Sequence, residues 1–126
     1  MATKPKSILI IDDELCIAHA LTFLFQDLGY PCFAALNASE AEEILARENP
    51  GLIILDVNMP EKDGYAVCRE VRSRPDLKDV YIIMLSAMGQ EIDTQRGYDA
   101  GANEYMTKPF DPLLLRKKAQ EILGRS

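Results

Sequence analysis

The chain is expected to fold as one α/β domain around a doubly wound parallel sheet, and three observations support this. Short apolar runs recur at Ile8–Ile11, 32–36 (the weakest), 52–55, 81–85 and 104–106, implying five strands. The stronger runs are apolar on consecutive residues instead of alternating ones, which marks strands covered on both faces. The segments between them carry apolar residues at helical spacing. A length of 126 residues with 48% apolar content suits one core and is short for two.

The elements follow in order. After the first strand, Ile17, Leu21, Leu24 and Leu28 form one stripe of a helix that Gly29 stops. Leu15, His19 and Phe23 form a second stripe on that helix, off the row expected to face the core. Exposed apolar residues at such spacing can dock a partner helix, partial burial being the alternative. His19 is the sole histidine and reads as a surface group. Asn37 or Ser39 caps a second helix whose apolar face is Ala38, Ala41, Ile44 and Leu45, and Asn49-Pro50-Gly51 ends it. A third helix spans 65–73. The fifth starts at Asp111, a good N-cap followed by Pro112, and runs to Leu123 and Gly124. Glu91–Ala100 is the poorest helix former, because Asp93, Thr94 and Gly97 disfavour it and only Ile92 and Tyr98 offer large apolar anchors. It is therefore expected to be the loosest element, whether as a part that moves or through simple sequence drift.

A net charge of −6, from 20 acidic against 14 basic residues, argues against nucleic acid or an anionic membrane as a direct partner. Cys16, Cys32 and Cys68 suggest neither a disulfide framework nor a zinc site. No apolar stretch has the length of a signal peptide or a membrane span, so the expectation is a soluble, cytoplasmic protein without membrane insertion. Arg116, Lys117, Lys118 and Arg125 give the last helix a basic face, read as solvated surface with a dimer contact as the alternative.

In open α/β sheets ligands collect at the carboxyl ends of the strands. Four ends here carry polar chemistry: Asp12-Asp13-Glu14 after the first, Asp56-Val57-Asn58-Met59-Pro60 after the third, Ser86-Ala87 after the fourth, and Thr107-Lys108-Pro109 after the fifth. Asp12, Asp13 and Asp56 would lie close enough to repel one another unless one protonates or a cation binds. Mg2+ takes oxygen ligands and keeps several waters, so it suits such an incomplete cage, with Mn2+ as a substitute. The alternative is that Asp12 and Asp13 only cap the following helix. Asp56 is a candidate nucleophile toward a phosphoryl group, with Lys108 and Ser86 balancing charge on the transferred oxygens. A lysine ending a central strand is costly to bury without acidic partners.

From residue 6 to residue 123 this pattern resembles the receiver domains of response regulators in two-component phosphorelays, stand-alone chemotaxis-type regulators among them. Asp12-Asp13 is similar to the family's acidic pair, Asp56 to its phosphoacceptor, Ser86 to its hydroxyl and Lys108-Pro109-Phe110 to its lysine motif, with Asp63-Gly64 in the phosphoacceptor loop. The resemblance implies a flavodoxin-like three-layer sandwich with strand order 2-1-3-4-5. It implies a phosphoryl group received on Asp56 from a histidine kinase or histidine phosphotransfer protein, with Mg2+ on Asp12, Asp13, Asp56 and the Asn58 backbone carbonyl. It further implies room for the phosphate at Ala87, a cis Lys108-Pro109 bond, Tyr105 as an aromatic switch moving with Ser86, and kinase docking on the first helix. Met88 departs from the polar residues frequent at its position, where a side chain can orient attacking water, and this suggests slow autodephosphorylation.

On this reading residues 1–126 are one receiver domain with no output region visible, either stand-alone or the N-terminal part of a longer protein. It is a signalling phosphoacceptor and not an enzyme, catalysing only its own phosphorylation and dephosphorylation. Its surface switches for an unidentified downstream protein or output domain, with dimerisation on phosphorylation left open. A phosphatase using an aspartyl phosphate would want a second Asp where Asn58 stands, because an amide cannot act as the general acid. A flavin carrier would need a phosphate loop where Asp12-Asp13-Glu14 would repel one. A receiver-like binding module that works without phosphorylation is the remaining alternative.

Overall fold

The computed structural model describes residues 6–59, 62–87 and 89–124. Its five strands are β1 (Ile8–Ile11), β2 (Cys32–Ala35), β3 (Leu52–Asp56), β4 (Tyr81–Ser86) and β5 (Glu104–Thr107). All pair in parallel in the order β2-β1-β3-β4-β5, so the expected doubly wound sheet is present. The helices are α1 (Leu15–Gln26), α2 (Ala38–Arg47), α3 (Gly64–Arg72), α4 (Glu91–Ala100) and α5 (Pro112–Leu123), with a 3-10 turn at Pro75–Leu77 that the sequence reading did not anticipate.

The consecutive apolar runs are explained by two cores, one on each face. Leu9, Ile11, Ile53, Leu55, Ile82 and Met84 point into the layer beneath α2 and α3. Their neighbours Ile8, Ile10, Leu52, Ile54, Ile83 and Leu85 point into the layer beneath α1 and α5. Side chains alternate across a strand, so a strand covered on both faces must be apolar at every position. On α1 the fully buried row is Ala18, Leu21 and Phe25, while Ile17, Leu24 and Leu28 are only partly buried beside it. The expected stripe was thus displaced by about one residue, and Phe25 was missed as its largest anchor.

Local signals end the helices as anticipated. The Asn37 side chain accepts from the Glu40 N–H at 2.8 Å, and Asp111 accepts from the Leu113 N–H at 2.9 Å. Gly29 and Gly101 both take positive φ, the latter as the left-handed C-cap of α4.

The expected anchors of α4 need correction. Ile92 is 68% exposed and Tyr98 also faces solvent, whereas the buried residues of this helix are Gly97 and Ala100. A Cβ on Gly97 would come within 2.7 Å of the Tyr105 ring. The glycine that weakens the helix is therefore what lets it lie close against β5. The second stripe of α1 is exposed, with Phe23 78% accessible and Leu15 and His19 also at the surface. On the basic face of α5, Arg116 pairs with Asp27 at 3.0 Å and Lys118 with Glu104 at 2.6 Å, while Arg125 lies outside the described residues.

Arg72, at the end of α3, ties together the strand ends remote from the acidic cluster. Its guanidinium donates to the carbonyls of Gly101 at 2.8 Å, Val80 at 2.7 Å and Lys78 at 3.2 Å, and to Asn103 Oδ1 at 2.6 Å. The same Asn103 oxygen accepts from the Ile82 N–H at 2.8 Å. Replacing Arg72 with Met strips part-buried acceptors of their donor, and we expect it to lower stability by about 1–3 kcal/mol in urea titrations without changing the acidic site.

Candidate functional site

Two buried carboxylates face each other because β1 and β3 are neighbours in register, Ile11 opposite Leu55, and both strands run directly into acidic residues. Asp12 and Asp56 are each 2% exposed, while Asp13 lies at the surface beside them. Carboxylate oxygens of Asp12, Asp13 and Asp56 lie within 4.8 Å of one another.

Lys108 brings a positive charge from the end of β5. Its ammonium donates to Asp56 Oδ1 at 3.0 Å and Asp12 Oδ2 at 3.2 Å, and lies 3.4 Å from Glu14 Oε1. The Lys108 backbone N–H donates to the Ser86 carbonyl at 2.7 Å, and the Lys108-Pro109 bond is cis, as expected. Asp12 Oδ1 accepts from the Glu14 N–H at 2.9 Å, so this carboxylate both shapes the entry to α1 and faces the cluster. α1 begins at Leu15 with Glu14 as its N-cap and has no side-chain capping hydrogen bond, so Asp12 and Asp13 belong to the cluster and do not cap the helix. Glu14 as a third partner of Lys108 was not anticipated; it follows the acidic pair directly in sequence.

The electrostatics reflect unrelieved crowding. Burial is the main cause pushing the Asp56 carboxyl up to about 6; the Lys108 hydrogen bond opposes it, and the charge on Asp12 and the Asp13 side chain add to it. Asp12 is also raised, chiefly by burial, against the Glu14 N–H and the Lys108 charge. Burial pulls Lys108 down, yet the Asp56 hydrogen bond and the Asp12 and Asp56 charges outweigh it and hold this lysine above its ordinary value.

The donor set fits a hard divalent cation. It offers hard carboxylate oxygens, two buried and one exposed, and charge crowding that one lysine leaves unbalanced. Asn58 stands exposed in the loop after β3, two residues beyond Asp56. Ser86 ends β4 fully buried, and Ala87 follows it at the surface. Tyr105 lies half-buried in β5, against Gly97 of α4 and packed on the α2–α3 core. Asp12, Asp13, Asp56 and Lys108 thus converge directly, with Ser86 joined through its carbonyl. Tyr105 lies in β5, three residues before Lys108, and Met88 and Pro60 fall outside the described residues.

Gly64 keeps this end of the sheet compact. Its N–H donates to the Val57 carbonyl at 2.8 Å, and Asp63 caps α3 by accepting from the Ala66 N–H at 2.9 Å. A Cβ on Gly64 would collide with the Asp56 backbone oxygen and come within 2.8 Å of Val57 Cα.

The comparisons agree with this geometry. Residues 8–120 match the family model described as the response regulator receiver domain. A probable transcriptional regulator of Porphyra purpurea, ycf27, is 40% identical over 126 residues, covering 100% of this chain and 51% of that protein. Its counterpart in Cyanidium caldarium is 42% identical over 118 residues, 94% of this chain and 46% of that one. The chain therefore spans about half the length of the curated relatives it matches. Among solved structures, the chemotaxis protein CheY4 of Vibrio cholerae superposes with a TM-score of 0.88 at 31% identity, covering 95% of this chain and 100% of that one. A putative response regulator from Chloroflexus aurantiacus gives 0.87 at 37% identity, covering 97% and 100%. This chain belongs to the response-regulator receiver domain family, and its sheet is the flavodoxin-like one that the resemblance implied. The family is one of signalling domains in two-component systems.

Gly64→Ala should push the Asp56 loop away from α3. We expect a loss of about 1–3 kcal/mol in thermal or urea unfolding, with the Asp56 and Val57 amide resonances moving most in a 1H–15N spectrum.

Proposed function

We propose that residues 1–126 act as one receiver unit that takes a phosphoryl group onto Asp56 from a histidine kinase or histidine phosphotransfer protein and changes its surface for a downstream partner. The observation that carries this reading is the Lys108 ammonium bridging Asp56 and Asp12, with Asp13 completing an acidic cluster at the open end of the sheet. An Asp56 oxygen forms the new O–P bond as the P–N bond of a phosphohistidine breaks, and the departing imidazole nitrogen is left to take up a proton. Lys108, which already meets Asp56, would pair with charge on the transferred oxygens, and Ser86, which ends the adjacent strand β4, would donate its hydroxyl to one of them. Ala87, with no bulk beyond Cβ, leaves space at the strand end. Asp12, Asp13, Asp56 and the Asn58 carbonyl would hold Mg2+, which supplies positive charge that lets carboxylate and phosphoryl group approach. The exposed Leu15, His19 and Phe23 stripe of α1 is the face we assign to the phosphodonor protein.

Among the described residues no helix is long and apolar enough to cross a membrane. This accords with a cytoplasmic site of action, which we propose. Tyr105 and Ser86 would report the modification to α4 and β5, since a phosphoryl group adds about −1.5 to −2 charge and three acceptor oxygens beside Lys108.

Intact mass after incubation with Mg2+ and acetyl phosphate tests the reading. One phosphoryl adduct is expected on the unmodified sequence, with none in Asp56→Asn or without a divalent cation. No adduct under any condition would instead favour binding without phosphorylation. Because Met88 cannot orient water, the adduct should decay slowly, and Met88→Glu should shorten its half-life by about tenfold or more in a quench time course. A half-life left unchanged would remove this residue from the account.

A further inference from the structure

α4 is attached to the body of the protein differently from the other helices. α1 buries Leu21 and Phe25, α2 buries Ile44 and Leu45, α3 buries Val67 and Val71, and α5 buries Leu115 and Leu123. α4 buries only Gly97 and Ala100. What holds it is one face directed at two tyrosines. The Tyr65 hydroxyl, carried by α3, donates to the Asp93 carbonyl in the first turn of α4 at 3.1 Å. Three residues on, and so on the same face, the Arg96 guanidinium lies 4.3 Å from the centroid of the Tyr65 ring. Four residues on from Asp93, Gly97 lies against the Tyr105 ring. Tyr65 is 2% exposed, and burial first, with the neighbouring Tyr105 side chain adding to it, holds its ionisation well above the ordinary range. Its ring fills the core beneath α3, so the hydroxyl is the part that reaches out to other elements.

We propose that Tyr65 is a positioning residue of the switch: its hydroxyl latches the first turn of α4 to α3 while Gly97 seats that helix against Tyr105, so that α4 and the Tyr105 ring move as one unit. The latch is local. Tyr65 is one residue beyond Gly64, whose own N–H is fixed to the loop after Asp56. A short covalent path therefore runs from the acidic cluster to the hydroxyl, and a displacement of that loop reaches α4 through Tyr65 as well as through the end of β4. With no large apolar side chain of its own in the core, α4 has little else to resist being released once that hydroxyl lets go.

Only the part of this inference that concerns phosphorylation rests on the function proposed above, and the experiment separates the two. Amide hydrogen exchange is measured on the unmodified sequence and on Tyr65→Phe, which keeps the ring and loses the hydroxyl, each with and without Mg2+ and acetyl phosphate. In the unphosphorylated proteins, Tyr65→Phe should speed exchange across α4 by roughly fivefold or more while the amides of β1 and β3 change little. Exchange left unchanged in α4, or accelerated equally in β1 and β3, would overturn the latch. Where an adduct forms, its effect on α4 exchange should shrink in Tyr65→Phe; an effect of full size there would also overturn it. If no adduct forms on the unmodified sequence, the phosphoacceptor reading fails, while the unphosphorylated comparison still decides the latch.

Discussion

The structure turns on the cost of placing Asp12 and Asp56 side by side at the ends of two buried strands, each almost wholly out of water. Burial is the main cause that keeps both carboxyls protonated to higher pH than an ordinary carboxyl, and at Asp56 the charge on Asp12 adds to it. A hydrophobic sheet need not end this way, and the elements around the cluster read as answers to it. β5 delivers Lys108 to bridge the pair, and the Glu14 N–H donates to one Asp12 oxygen. One ammonium still faces three carboxylates and Glu14. That shortfall of positive charge is what makes the donor set fit a divalent cation.

The rest of the molecule separates rigid support from an adjustable side. β1 and β3 lie centrally with fully buried residues on both faces, so the carboxylates stand on the least deformable part of the sheet. Gly64 brings α3 within backbone contact of the Asp56 loop, and Arg72 at the other end of the same helix fastens it to the entries of β4 and β5. α4 is joined on by hydroxyl, guanidinium and ring contacts in place of buried aliphatic side chains. Such an attachment matches the role proposed for α4 as the part that shifts.

Much of the site was legible in the sequence. Asp12, Asp13, Asp56, Ser86 and Lys108 all lie at or within two residues of the end of an apolar run, and a parallel sheet brings all such ends to one edge, so their convergence could be expected from chain order. The strand runs were recognisable because coverage on both faces removes any polar alternation, and the caps at Asn37 and Asp111 because capping is a local interaction. The polarity of α4 was legible too, but its anchors were not: Gly97 is a close contact with Tyr105, and Ile92 and Tyr98 lie outside the core.

What only the tertiary structure decided is the set of partners that lie far apart in sequence and depend on side-chain direction. The reach of Arg72 to Gly101 and Asn103, of Lys118 to Glu104, and of the Tyr65 hydroxyl to Asp93 spans up to 31 residues, with nothing in the local pattern to announce it. Glu14 shares Lys108 across 94 residues. Periodicity says which face of an element is buried, but not which atom of a long polar side chain meets which carbonyl, because that depends on helix rotation, strand register and rotamer together. The sequence by itself therefore determined the sheet, its order of chemistry and the acidic pocket, through short-range pattern and chain direction. How α3, α4 and β5 are joined was decided by packing.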